Sequence, residues 1–180
     1  LRVDPNPFPQ FKDYQWGDQK APFEEQFLDL ETTVTDADGH AVLHLPTVAA
    51  HDSPQPLEAA VVASVFEPGG RPVREGATFK VRAAPYYLGA KVDVGQGDYN
   101  KDPMVTLDVI AADPYGRRRA QGGVGYSLIA ETWNYDWFQQ DGRWQWRRTS
   151  RDVVVQKGVL NIGSAAPARI ARPLSWGDYR

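Results

Sequence analysis

The stretch ETWNYDWFQQDGRWQWRRTS, from Glu131 to Ser150, contains four of the six tryptophans in this chain of 180 residues. At its centre, Asp141-Gly142 is a strong signal for a two-residue type I′ turn, because both central positions of that turn need a positive φ. A turn at this point predicts a β-hairpin in which Trp137 lies opposite Trp146. The stretch therefore predicts antiparallel β-structure with a defined register.

The predicted hairpin has one aromatic face and one polar face, because side chains alternate between the two faces of a strand. The aromatic face consists of Trp133, Tyr135, Trp137, Trp144 and Trp146. The polar face consists of Thr132, Asn134, Asp136, Gln145 and Arg147, with Asp136 opposite Arg147.

Three interpretations of the aromatic face are open: a carbohydrate platform, a base-stacking strip and the core of a β-sandwich. Core packing is favoured, because one face of each strand in a two-sheet sandwich is buried. We therefore expect this face, except Trp144 near the turn, to pack inward against apolar residues such as Val105, Leu107 and Val109. Under that interpretation Trp137→Ala costs about 3–5 kcal/mol of stability.

Composition indicates a globular protein and excludes several classes of site. The chain is 42% hydrophobic, its formal net charge is −3, and it contains no cysteine. Disulfides, thiolate metal ligands and cysteine nucleophiles are therefore excluded. Because only Arg148 shares the aromatic face and the net charge is negative, we expect no nucleic-acid partner. The single methionine, Met104, is internal, so we expect the chain to belong to a longer protein.

Short strand patterns with a turn signal about every ten residues predict an all-β fold of antiparallel β-sandwiches. Two units are expected, 1–85 and 86–180, meeting near Pro85. In the first unit, LDLETTVT, DADG and HAVLHLP predict a hairpin over residues 28–46. The aromatic and proline-rich segment before it is expected to pack on the domain, since disordered linkers contain few aromatics.

No pattern indicates catalysis, a metal site or a cofactor, so we predict that the chain is not an enzyme. His40 and His44 would lie roughly 13 Å apart along a strand, too far to bind one metal ion. The third histidine, His51, has no ligand partner in the pattern. DADG lacks the later ligands of a calcium loop, and no Gly-x-Ser-x-Gly motif is present.

Several motifs together resemble one family. They are LRVDPNPFPQFKDYQWG (1–17), TDADGHAVLHLP (35–46), PLEAAVVASVFEPGGRPV (56–73), NYDWFQQDGRWQWRR (134–148) and WGDYR (176–180). In this order they resemble the macroglobulin-like domains of bacterial alpha-2-macroglobulins. The resemblance implies tandem sandwiches of immunoglobulin or fibronectin type. The first would lack its opening strands, and the second would lack the end of its last strand.

The family implies a large periplasmic protease inhibitor in bacterial defence, usually a lipoprotein anchored to the inner membrane. Protease cleavage of a bait region triggers its collapse, and in many members a thioester then captures the protease. Without cysteine or a bait-like stretch, this chain is expected to be a scaffold segment. Its expected partners are other domains of the parent chain, target proteases and a periplasmic peptidoglycan synthase. The alternative is a free-standing tandem sandwich that binds glycan or peptidoglycan through the tryptophan face.

Overall fold

The computed structural model describes residues 1–21, 23–44, 53–66, 69–95 and 102–180. One 3-10 helix, Pro9–Phe11, lies among the described elements, and no helix among these residues is long and apolar enough to cross a membrane. The strands are β1 (Arg2–Val3), β2 (Gln15–Trp16), β3 (Leu57–Val65), β4 (Val73–Val81), β5 (Tyr87–Val94), β6 (Met104–Ala112), β7 (Gln121–Gln140), β8 (Arg143–Ile162), β9 (Ala168–Pro173) and β10 (Asp178–Tyr179).

The strands form three sheets, in the orders β1-β3-β4, β10-β7-β8 and β2-β5-β6-β9. These ladders are antiparallel: β3 pairs with β4, β6 with β9, and β7 with both β8 and the short β10. This architecture confirms the predicted all-β, antiparallel fold class. By contacts, the chain divides into two compact units, Leu1–Gly89 with Ala112–Arg117 and Ala90–Ala111 with Arg118–Arg180.

In the first unit, the aromatic segment near the N-terminus supplies much of the core. Phe8, Trp16, Leu57 and Tyr87 are buried, and the rings of Phe8 and Trp16 meet edge to face with centroids 4.5 Å apart. Gly89 admits the Trp16 ring, because a Cβ at that position would lie 3.0 Å from three ring atoms. The prediction that this segment packs on the domain is therefore confirmed for Phe8 and Trp16.

In the second unit, the buried apolar residues include Ile110, Ala111, Ile162 and Leu174. β7 and β8 each run for 20 residues without interruption. Their ladder continues through two bulges, so Asp152–Ile162 is part of β8 and not a separate strand.

The predicted hairpin over residues 28–46 is only partly present. Its turn forms as expected, with Asp36 Oδ1 accepting the N–H groups of Asp38 and His40 at 3.0 and 2.8 Å. Residues 28–35 and 40–44 adopt no strand, however, and Val34 is 88% exposed. Alternation stabilises a strand only when one face is covered, and that condition is not met here. Leu45 and Pro46 lie outside the described residues.

Candidate functional site: an exposed aromatic ribbon

The last part of β7 and the first part of β8 form a two-stranded ribbon, residues 132–149, which we call the aromatic ribbon. Its turn has the predicted conformation, with φ of 53° at Asp141 and 73° at Gly142. The predicted register is also confirmed: Trp137 lies opposite Trp146, and Asp136 lies opposite Arg147. The sequence therefore determined which side chains share each face.

The burial expected of the aromatic face is not observed. The exposed fractions are 39% for Trp133, 62% for Tyr135, 67% for Trp137, 68% for Trp144 and 57% for Trp146. The prediction that all but Trp144 pack inward is therefore wrong for this chain, although Trp144 is the most exposed of the row, as expected.

The reason lies in sheet geometry. β10, the neighbour of β7, pairs with it at Ala130 and Glu131, and the backbone of Arg180 continues the pairing to Ile129, so the third strand stops where the ribbon begins. Val105, Leu107 and Val109, which were expected to cover the aromatics, lie on β6 in another sheet, and the exposed fractions of the row show that this sheet does not cover the ribbon.

Contacts within the ribbon hold its aromatic rings in place. The guanidinium carbon of Arg148 lies 3.4 Å from the ring centroid of Trp133, and Tyr135 and Trp146 approach to 5.7 Å between centroids. Cation–π and tilted aromatic pairs are each worth about 0.5–1 kcal/mol at exposed positions. The row is thus partly ordered by its own contacts.

The reverse face of the ribbon is polar and open to solvent. Thr149 Oγ1 donates to Asp136 at 3.1 Å, and Thr132 Oγ1 donates to the carbonyl oxygen of Arg151 at 2.8 Å. Phe138, also on this face, lies under the guanidinium group of Arg147 at 5.6 Å. The ribbon therefore presents most of its apolar surface on one side, and Phe138 is the one large apolar side chain on the other.

A second constellation, which sequence reasoning missed, ties the N-terminal segment to β4. The Asp4 carboxylate, 2% exposed, accepts hydrogen bonds from Arg82 and, at 3.2 Å, from Lys80. Burial raises the pKa of Asp4, but hydrogen bonds from Arg82, the Asn6 amide and Lys80 outweigh it and hold that pKa below its ordinary value. Asp4 and Arg82 are 78 positions apart, so no local pattern indicates their pairing.

A third constellation is the turn that contains Asp36, Asp38 and His40, whose possible ligand atoms lie within 4.8 Å of one another. All three residues are exposed, and hydrogen bonds within the turn account for their proximity. His44 is exposed in the same segment, and His51 lies outside the described residues. The turn interpretation is sufficient, so these residues are not assigned a ligand.

Comparison with known proteins gives two family matches. The family model of bacterial alpha-2-macroglobulin MG5 domains matches residues 1–83, and the model of bacterial macroglobulin domain 6 matches residues 89–180. The alpha-2-macroglobulin of Xylella fastidiosa strain 9a5c is 26% identical over 183 aligned positions, which cover 100% of this chain and 11% of the relative. This chain thus spans about a tenth of that relative's length.

Solved structures give the same fold. Escherichia coli alpha-2-macroglobulin activated by porcine elastase superposes with a TM-score of 0.71 at 22% identity, covering 99% of this chain and 16% of that one. Salmonella alpha-2-macroglobulin reacted with methylamine superposes with a TM-score of 0.70 at 22% identity. The superposition covers 99% of this chain and 12% of the Salmonella chain. At this identity the likeness shows the fold alone.

Proposed function

Because the chain belongs to the bacterial alpha-2-macroglobulin family, we propose that it is a scaffold segment of a longer protease-trapping inhibitor. We assign residues 1–85 and 86–180 to two consecutive macroglobulin domains. The observation that carries the proposal is that two different domain models match in order along the chain, at 1–83 and 89–180. A segment of a multidomain architecture is expected to give that pattern.

The charged groups also favour a scaffold over an enzyme. The pKa values of Asp4, Asp108 and Asp113 are lowered. Each carboxylate accepts a hydrogen bond from an arginine, as Asp108 does from Arg169 at 2.7 and 2.8 Å. General acids and bases at neutral pH need a carboxyl pKa shifted upward. Downward shifts against arginine indicate structural ion pairs instead.

The family membership supports the remaining parts of the proposal. We place the parent protein in the periplasm, as a lipoprotein anchored to the inner membrane, with attacking proteases as its targets. A periplasmic peptidoglycan synthase is a further proposed partner. The chain has no cysteine, so any thioester that captures protease belongs to another part of the parent.

A capture experiment on the full-length parent tests this function. The parent is incubated with active trypsin or with trypsin blocked covalently at its catalytic serine, and complexes are separated by size-exclusion chromatography. We expect active trypsin to co-elute with the parent and blocked trypsin to elute free, because trapping needs bait cleavage. The 180-residue segment alone should leave trypsin activity unchanged. Free elution of both trypsin forms would contradict the proposal.

Exposure of the tryptophan row favours one second candidate, a glycan-binding module. Sugar rings stack on exposed aromatic side chains, and Trp137 and Trp144 are about two-thirds exposed. A glycan array probed with this segment and with its Trp137→Ala variant separates the two functions. Signal that Trp137→Ala abolishes would support glycan binding, and silence from both proteins would favour the scaffold.

A further inference from the structure

We propose that the aromatic ribbon is a docking surface for another β-sandwich domain of the same parent polypeptide. This inference rests on the proposed function, since it takes the chain as one segment of a multidomain protein. It adds the surface through which the segment contacts the rest of that protein, and the side chains that form its centre.

The size of the exposed patch is the first argument. An aromatic side chain presents about 150–250 Å² of surface. The side chains of the row are between 39% and 68% exposed, so together they present roughly 600 Å² of exposed surface on the aromatic face. That value reaches the upper end of the apolar patches found on monomers, about 300–600 Å². It also matches one side of a small interface between domains of one chain, about 600–1,500 Å² in total.

The ribbon's lack of support is the second argument. Past Glu131 it consists of two strands, since β10 pairs with β7 at Ala130 and Glu131. A two-stranded hairpin is marginally stable in water unless a third strand or a packed face supports it. Its reverse face is polar, and Asn134, Asp136 and Arg147 there are exposed. The aromatic face is therefore the face that a supporting partner must cover.

Chemistry on the aromatic face favours a protein surface over a sugar. Interface centres are rich in tryptophan, tyrosine and arginine, with polar residues at the rim. Here Arg148 lies over Trp133, and Gln139 and Ser150 flank the row by register. An apolar sheet face of a second sandwich gives both coverage and support.

The rest of the parent polypeptide is the natural source of that sandwich. Relatives extend far beyond the aligned part, which is 11% of the Xylella protein and 12% of the Salmonella chain. A domain tethered in the same polypeptide is present at an effective concentration of about millimolar. At that concentration, a patch too small to hold two separate molecules together as a stable dimer is large enough to hold two tethered domains together.

Photo-crosslinking in the full-length parent tests the docking surface. p-Benzoylphenylalanine replaces Trp137 in one variant and, as a matched control, Asn134 on the reverse face in another. Crosslinked peptides are mapped by mass spectrometry after irradiation. Because the replacement is itself aromatic, the ribbon keeps its character; if that variant does not accumulate, Trp144 is replaced instead.

We expect the Trp137 probe to join one region of the same polypeptide outside residues 1–180, at monomer mass and in severalfold higher yield than the Asn134 probe. Crosslinks to a second copy, to envelope glycan or to residues within 1–180 would overturn the proposal, as would equal yields from both probes. Trypsin capture by the same samples is scored separately. If the expected crosslink forms but trypsin is not captured, the result contradicts only the proposed protease trap. If trypsin is captured but the crosslink does not form, the result contradicts only the proposed docking surface.

Discussion

Replacing Asp4 with alanine should destabilise the first unit by about 3 kcal/mol. The side chains of Asp4 and Arg82 are 2% and 7% exposed, so the substitution leaves a buried guanidinium without its anion. Removing one partner of a buried pair costs about 3–5 kcal/mol. We expect the lower end, because Arg82 keeps the carbonyl oxygens of Leu57 and Pro7 as acceptors and still lies 5.4 Å from the Phe8 ring centroid.

Urea unfolding followed by tryptophan fluorescence measures this cost, and a double-mutant cycle with Arg82→Met assigns it to the pair. In the Arg82→Met background, Asp4→Ala should cost about 1 kcal/mol or less, since no buried charge is left unpaired. Asp108→Ala, which breaks a pair whose arginine is 62% exposed, serves as the control and should cost at most about 1 kcal/mol. An equal cost of Asp4→Ala in both backgrounds would refute the reasoning.

Three further changes test other parts of the structure. The pKa of Asp4 is lowered on folding, so its contribution to stability is complete above the unfolded pKa of about 3.9 and is lost as pH falls below it. Asp4→Asn should therefore weaken the loss of stability that urea titrations record as pH falls below about 4. Gly89→Ala should cost about 1–3 kcal/mol by forcing a methyl group against Trp16. Gly125→Ala should be nearly neutral, because nothing lies within 4 Å of the position its added Cβ would take. Trp16 is 5% exposed, so Trp16→Ala should lower the free energy of unfolding by about 3–5 kcal/mol. Trp137 is 67% exposed, so Trp137→Ala should lower it by less than about 2 kcal/mol. Equal losses would show that the ribbon is buried in solution.

The register of the aromatic ribbon was predictable because it depends on local chemistry. Asp141-Gly142 sets the turn, and strict alternation then fixes every pair of the ribbon, including Trp137 with Trp146. The family was predictable for a similar reason, since the motifs that carry the resemblance are contiguous stretches of sequence. Both depend on residues that are close together along the chain.

Burial was not predictable from the same residues. Whether Trp137 is covered depends on what another part of the polypeptide places over it, and an alternating pattern gives no information about that. The same limit explains residues 28–35, where alternation predicted a strand that the structure does not form. The pairing of Asp4 with Arg82, 78 positions away, likewise arises from the tertiary fold.

Hydroxyl-radical footprinting tests the central claim most directly: that this is a scaffold segment whose aromatic ribbon is covered by the rest of its parent. Oxidation of Trp137 is compared between the 180-residue segment and the full-length protein. Trp16, 5% exposed, and Trp176, 100% exposed, serve as internal references. We predict that Trp137 oxidises nearly as fast as Trp176 in the segment and almost as slowly as Trp16 in the full-length protein. Equal oxidation of Trp137 in both proteins would contradict the account.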